Sequence, residues 1–425
     1  MRNRTTVFLW MSCLVLGMAH AQLVPQLQLP PLSTPPVKVP GVSLPQAGVT
    51  RELGDLAGAR ILRISTLARE HRAELDRDPR GELVVRAEVV AIDITEAALK
   101  RALADDFLLR RTQDLPDLGV RLSVLQTPEG WSASRGLKRL RKLDPDGIYD
   151  FNHVYLDAGV ATGMARVDGT PDSPAASSAG AASGSRRVGL IDGGVDAAHE
   201  DFRGVHIESF GCGGKIVPSA HGTSVASVLV SRHSIDTIYA ADVYCGLPTG
   251  GAVDAVAAAL AWLARERVGV INVSLVGPRN ALLERVVNTL VGRGFVIVAA
   301  VGNDGPAAPP LYPASYDGVV GVTAVDKHHH ALVEACRGKQ VDFAAAGADI
   351  EAATQAPNAR AAVRGTSFAA PLVAALLAEG FPAPDTARRA AELSQWISRA
   401  TDLGKPGRDE VYGDGELGPA SNAYK

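Results

Sequence analysis

Residues 365–380 read GTSFAAPLVAALLAEG, a serine set between small residues where an apolar helix opens. Small neighbours can hold Ser367 exposed, with its hydroxyl and its own backbone N–H facing one spot, as an activated nucleophile requires. The same letters suit an N-cap, because Ser and Thr accept bonds from the unpaired N–H groups of a first turn. A base and an orienting acid elsewhere in the chain decide between the two readings.

Both occur. His221 opens HGTSVASVL, ahead of Gly222 and an apolar helix, and Asp192 in VGLIDGGVD ends an apolar, strand-like run. Histidine supplies a base with a pKa near working pH, and a buried carboxylate fixes its tautomer. Aspartate, histidine, serine is one of three chain orders known for this geometry.

Working outward, near-continuously apolar runs at Val188–Ile191, Ile238–Tyr244, Val270–Ser274, Val296–Ala300 and Val319–Ala324 read as parallel strands covered on both faces. Helical stretches lie between them: the His221 segment, Val253–Arg265 and Ala281–Val291. Alternating strand and helix predicts an α/β fold, a doubly wound parallel sheet with helices on both faces, whose ligands sit beyond the carboxyl ends of the strands.

These segments resemble the Asp, His and Ser signatures of the subtilisin-like serine proteases (subtilases, peptidase S8 type). VIVAAVGNDGP, residues 296–306, resembles their oxyanion-hole segment. The likeness covers roughly Arg187–Gly418, and it implies a serine endopeptidase with catalytic residues Asp192, His221, Ser367 and Asn303. It implies a substrate edge at Ser274, Leu275, Val276 and Gly277, with Ala300 and Gly302 beside the cleft, where an extended polypeptide is held by backbone hydrogen bonds. Gly193 departs from the usual Ser or Thr after the aspartate. Val276 and Gly277 stand where the family has two glycines, which argues against a broad aromatic pocket. Asp201 matches a position that often ligates calcium, but only SRHSIDT (231–237) precedes the strand at Ile238, and one carboxylate does not make a calcium site. No metal and no cofactor is expected. Two rivals are a catalytically silent fold of this type serving as a binding or scaffold protein, and an esterase, which the lack of a GxSxG elbow disfavours.

The chain has 425 residues, 46% hydrophobic and 21% charged, with a formal net charge of −3. That suits a globular protein and gives no field to recruit nucleic acid or an anionic membrane. Lys138–Lys142 is the one basic run, a solvated helix face. Arg2 and Arg4, the apolar run Val7–Met18 and Ala19-His20-Ala21 have the layout of a secretory signal, so residues 1–21 are expected to be removed and the protein exported to the periplasm or the medium. Cys13, inside that apolar run, is not placed as a lipid-anchor cysteine. No other apolar stretch is long enough to span a bilayer, and a monomer is expected. Of the remaining cysteines, Cys212, Cys245 and Cys336, one pair can bridge in an oxidising compartment; Cys212 with Cys245 is favoured, although sequence does not fix the pairing. His328–His330 reads as a polar loop.

Residues 22–50 are a proline-rich linker, and Arg51 to about Arg77 shows helical spacing. Leu83–Ile92, a helix from Asp93 and Thr95 to Leu103, Phe107–Thr112, Val120–Gln126, Ser132–Lys142 and Ile148–Tyr155 give a βαββαβ order. Residues 51–160 are thus expected to form a small α+β domain. It resembles the propeptide of the subtilisin-like proteases, which in that family templates folding and acts as an intramolecular inhibitor. An Ala/Ser/Gly-rich linker, 161–186, leads to a catalytic domain at 187–425. The order of these parts predicts self-processing between Tyr155 and Arg187, with Tyr155 filling the first pocket.

Overall fold

The structure, a computed structural model, describes residues 46–158, 160–161, 186–231 and 235–418. The signal segment and nearly all of both linkers lie outside the described residues.

Seven strands make one parallel sheet, in the order 343–346, 320–325, 296–300, 270–273, 187–192, 237–242, 206–211. The central strand Arg187–Asp192 is apolar on both faces, with Val188, Leu190 and Ile191 fully buried. From it the chain winds first to one side and, after Thr237–Asp242, crosses to Val270–Val273 on the other. That reversal creates a crevice at the carboxyl ends of Arg187–Asp192 and Val270–Val273, the position where such sheets bind ligands. Helices Val253–Arg265 and Ala281–Gly292 pack together on the sheet, and Ala220–Val230 packs against Thr366–Leu377. The sheet and helices thus form an α/β fold of the doubly wound kind expected.

Upstream, strands Leu108–Leu115, Val120–Gln126, Leu83–Ile92 and Ile148–His153 lie side by side in an antiparallel sheet, with helices Glu96–Ala104 and Ala133–Leu143 packed on it. Period-two alternation gives this sheet two apolar faces. Val89, Ala91, Leu125 and Phe151 join its own helices, whereas Val90, Ile92, Leu122 and Val124 belong to the same core as the large sheet. The second face covers the helices Val253–Arg265 and Ala281–Gly292. Charge and caps add to the contact: Asp150 accepts from Ala281 N–H at 2.8 Å, and Arg111 bonds Asp254 at 2.8 Å and Glu88 at 3.0 Å. A carboxylate at the first turn of Ala281–Gly292 also meets the positive end of that helix.

The helical spacing from Arg51 to about Arg77, read as one helix or two, resolves into one helix, Gln46–Glu70, and Leu75–Arg77 is a short strand on Leu83–Val85. The turn at His71–Glu74 breaks the pattern, and Leu75 is buried from a strand. The helix starts five residues ahead of the expected linker boundary, directly after Pro45, the last proline of that tract. The edge strand His206–Gly211, the hairpin Ile350–Ala353 with Arg360–Arg364, and the helix Thr386–Arg399 were not anticipated. Cys212 and Cys245 form a disulfide, and Cys336 is a buried free thiol.

Candidate active site

Asp192 is the last residue of the central strand, and His221 is the second residue of Ala220–Val230, a helix capped by Ser219, whose hydroxyl accepts from Gly222 N–H at 2.9 Å. Ser367 is the second residue of Thr366–Leu377. The cap of that helix is Gly365, at φ 135°, a conformation open to glycine; it supplies no side-chain bond, so the N-cap reading of Ser367 does not hold. His221 Nδ1 lies 2.9 and 3.0 Å from the two oxygens of Asp192, and Nε2 lies 3.0 Å from Ser367 Oγ. Residues 29 and 146 positions apart therefore meet in one hydrogen-bonded line.

Asp192 and Ser367 are buried. Asp192 also accepts from Gly193 N–H at 2.7 Å, which fixes the carboxylate. Burial pushes the His221 pKa down, but the adjacent Asp192 charge and its hydrogen bond outweigh this and hold the imidazole above its ordinary value. Asn303, three residues beyond Val296–Ala300, accepts from Thr366 N–H at 3.0 Å through Oδ1, which turns its Nδ2 outward. That Nδ2 donates to the carbonyl of Ala158.

The crevice is filled by the chain's own residues. Tyr155 N–H donates to Gly251 at 2.8 Å, Leu156–Asp157 pairs antiparallel with Leu275–Val276, and Ala158 N–H donates to the Ser274 carbonyl at 3.3 Å. Past Ala158, Val160–Ala161 pairs with Val363–Arg364. Residues Ser274–Val276 thus grip an extended peptide through its backbone. Gly277 faces the Tyr155 ring: a Cβ there would lie 2.6 Å from it. Ala300 is buried within the sheet, and Gly302 bonds Thr366 Oγ1 at 3.2 Å; neither lines the cavity beside Ala158.

Tyr155 does not fill the first pocket, as the sequence had suggested. It is buried three residues upstream of Ala158, its hydroxyl donating to Pro278 at 2.6 Å, while Tyr244 donates to its carbonyl at 3.1 Å. The register of Leu156–Asp157 on Leu275–Val276 brings Ala158 to Asn303 instead. Beside Ala158 lies a cavity of about 400 Å³ lined by Val276, Asn303, Asp304, Glu334 and Arg364 together with Ala59, Arg60 and Arg63 of the first helix. Sequence reasoning missed Asp304, Glu334 and the three arginines; Asp304 was legible only as the neighbour of Asn303. Asp201 takes the Arg360 guanidinium and the Ser227 hydroxyl.

Fold and site define an α/β protein with an aspartate–histidine–serine line at the carboxyl ends of its parallel strands. A sequence model of the subtilase family (peptidase S8) matches residues 185–415, and the chain belongs to this family. The minor extracellular protease Epr of Bacillus subtilis (strain 168) is 30% identical over 303 residues, 64% of this chain and 46% of Epr. Subtilisin DY of Bacillus licheniformis is 30% identical over 236 residues, 51% of this chain and 84% of that protein. Among solved structures, fervidolysin from Fervidobacterium pennivorans, a keratinolytic enzyme related to subtilisin, shares the fold with a TM-score of 0.63 at 18% identity, over 81% of this chain and 63% of that one. The chain thus spans about half the length of Epr and under two thirds of fervidolysin. No helix among the described residues is long and apolar enough to cross a membrane.

Proposed function

We propose that the protein is a secreted serine endopeptidase made as an autoinhibited precursor, which first cuts its own chain after Ala158. The observation that carries this is Ala158 itself: its carbonyl accepts from Asn303 Nδ2 while His221 stands 3.0 Å from Ser367 Oγ.

The chemistry follows from those atoms. Ser367 Oγ attacks the Ala158 carbonyl carbon as its proton passes to His221 Nε2, and Asp192 steadies the imidazolium. Negative charge grows on the Ala158 oxygen, toward which Asn303 Nδ2 already points, in a site that needs no reorganisation. His221 then gives the proton to the leaving amine of Gly159, which leaves Ala158 as an acyl ester on Ser367. A water molecule, deprotonated by His221, releases Ala158 as a carboxylate and restores the serine. Tethering raises the local concentration of this one bond, so it is the first cut.

After cleavage residues 51–158 act as an inhibitory propeptide, because the Tyr155–Ala158 strand and the sheet face over Val253–Arg265 and Ala281–Gly292 retain their contacts. Polypeptides entering later pair with Ser274–Val276 in the same way. Export rests on the signal-like residues 1–21 and on likeness to an extracellular protease.

The test is to express wild type and Ser367→Ala and to measure intact mass and N-terminal sequence. A new N-terminus at Gly159 in wild type with an uncut mutant is expected. Identical trimming of both would assign the cut to another enzyme, and no labelling of Ser367 by a fluorophosphonate would favour a silent scaffold.

A further inference from the structure

Arg60, on the first helix, reaches the cavity beside Ala158. Its guanidinium bonds Asp304 at 3.0 Å and Glu82 at 2.7 Å, with only 12% of its side chain exposed. Arg63, one turn on, holds the Asp157 carbonyl at 3.1 Å and its carboxylate. Ala158 and Arg60 both line the cavity of about 400 Å³, and neither fills it.

The charges lining the cavity divide by the segment that carries them. Arg60, Arg63 and Asp157 lie upstream of Ala158 and leave with the prosegment, whereas Asp304, Glu334 and Arg364 stay. Arg364 pairs with Glu334 through two bonds, at 2.6 and 3.0 Å. Among the described residues Arg60 is the one cation bonded to Asp304. Burial pushes the Asp304 carboxyl above its ordinary range although Arg60 pulls it back. Departure of the prosegment therefore removes that cation together with the helix that helps bury Asp304, and leaves a carboxylate that faces the pocket and can attract another cation.

We propose that Asp304 selects polypeptide substrates with arginine or lysine immediately before the scissile bond, and that Arg60 occupies that carboxylate in the uncut chain. The proposal rests on the endopeptidase reading above. Alanine at position 158 is compatible with this, because a tethered cut does not depend on binding energy from the first pocket.

The experiment uses the processed enzyme and fluorogenic tetrapeptides that differ only at the residue before the cleaved bond: arginine, lysine, alanine, phenylalanine or glutamate. A kcat/KM for arginine about tenfold or more above alanine and phenylalanine is expected, with the arginine-to-alanine ratio falling about tenfold in Asp304→Asn. Preference for phenylalanine in wild type, or an unchanged ratio in Asp304→Asn, would overturn it. Benzamidine provides a second reading that needs no turnover. It should bind full-length Arg60→Ala/Ser367→Ala and not full-length Ser367→Ala; equal binding to both would remove Arg60 from the pocket. Fluorophosphonate labelling separates the two failures, since a labelled enzyme that ignores arginine refutes only this inference.

Discussion

Ser274 donates its hydroxyl to the backbone carbonyl of Ser367 at 2.9 Å. Pro371, four residues after Ser367, has no N–H to give that carbonyl its helical partner, so a proline inside the helix creates the vacancy that Ser274 fills. Asn272 Nδ2 in turn donates to Ser274 Oγ at 2.9 Å. The residue whose carbonyl receives Ala158 N–H thus also anchors the segment that carries Ser367. Ser274→Ala leaves a buried carbonyl without a donor and should destabilise the protein by about 1–3 kcal/mol in chemical denaturation. An unchanged denaturation midpoint would mean that the hydroxyl does not support the helix start.

Activity should follow the state of His221. The base must be neutral to accept the serine proton, and Asp192 holds the imidazole above its ordinary value, so the acidic limb of kcat/KM should lie above the unperturbed histidine value of about 6.5. Asp192→Asn removes the charge that raises it. The limb should then move to lower pH while the plateau rate collapses; a limb that stayed in place would mean that another group controls it.

Asn303→Ala should lower kcat by about a hundredfold to a thousandfold with little change in KM, because its Nδ2 serves charge that exists only in the transition state. That magnitude is carried over from the loss of such a donor in subtilisin, a relative, and is not set by this structure. An effect confined to KM would instead make Asn303 a ground-state binding group.

Gly193 is matched to Ser219. A Cβ at Gly193 would lie 2.2 Å from Ser219 Oγ and 2.7 Å from its Cβ, and that hydroxyl caps the His221 helix. Gly193→Ser should therefore displace the cap and cost about 1 kcal/mol or more of stability, read by thermal unfolding. In a Ser219→Gly background the same substitution should cost less, and an equal cost in both backgrounds would separate the two positions.

The sequence by itself determined whatever is written within one element. Continuous apolar runs such as Val296–Ala300 and Val270–Ser274 identify strands buried on both faces, and the segments of Asp192, His221 and Ser367 each fall at a strand end or helix start because short motifs carry their own local geometry. Elements that lack a full apolar pattern were lost: His206–Gly211 is a half-exposed edge, and Thr386–Arg399 buries only Trp396. Tertiary structure alone decided what occupies the crevice. Tyr155 looked suited to the first pocket by chemistry, but strand register on Leu275–Val276 brings Ala158 to Asn303. Arg60 and Asp304, 244 residues apart, share no local pattern. Their meeting depends on how the first helix and small sheet dock on the large one, a choice made by side chains from both at once.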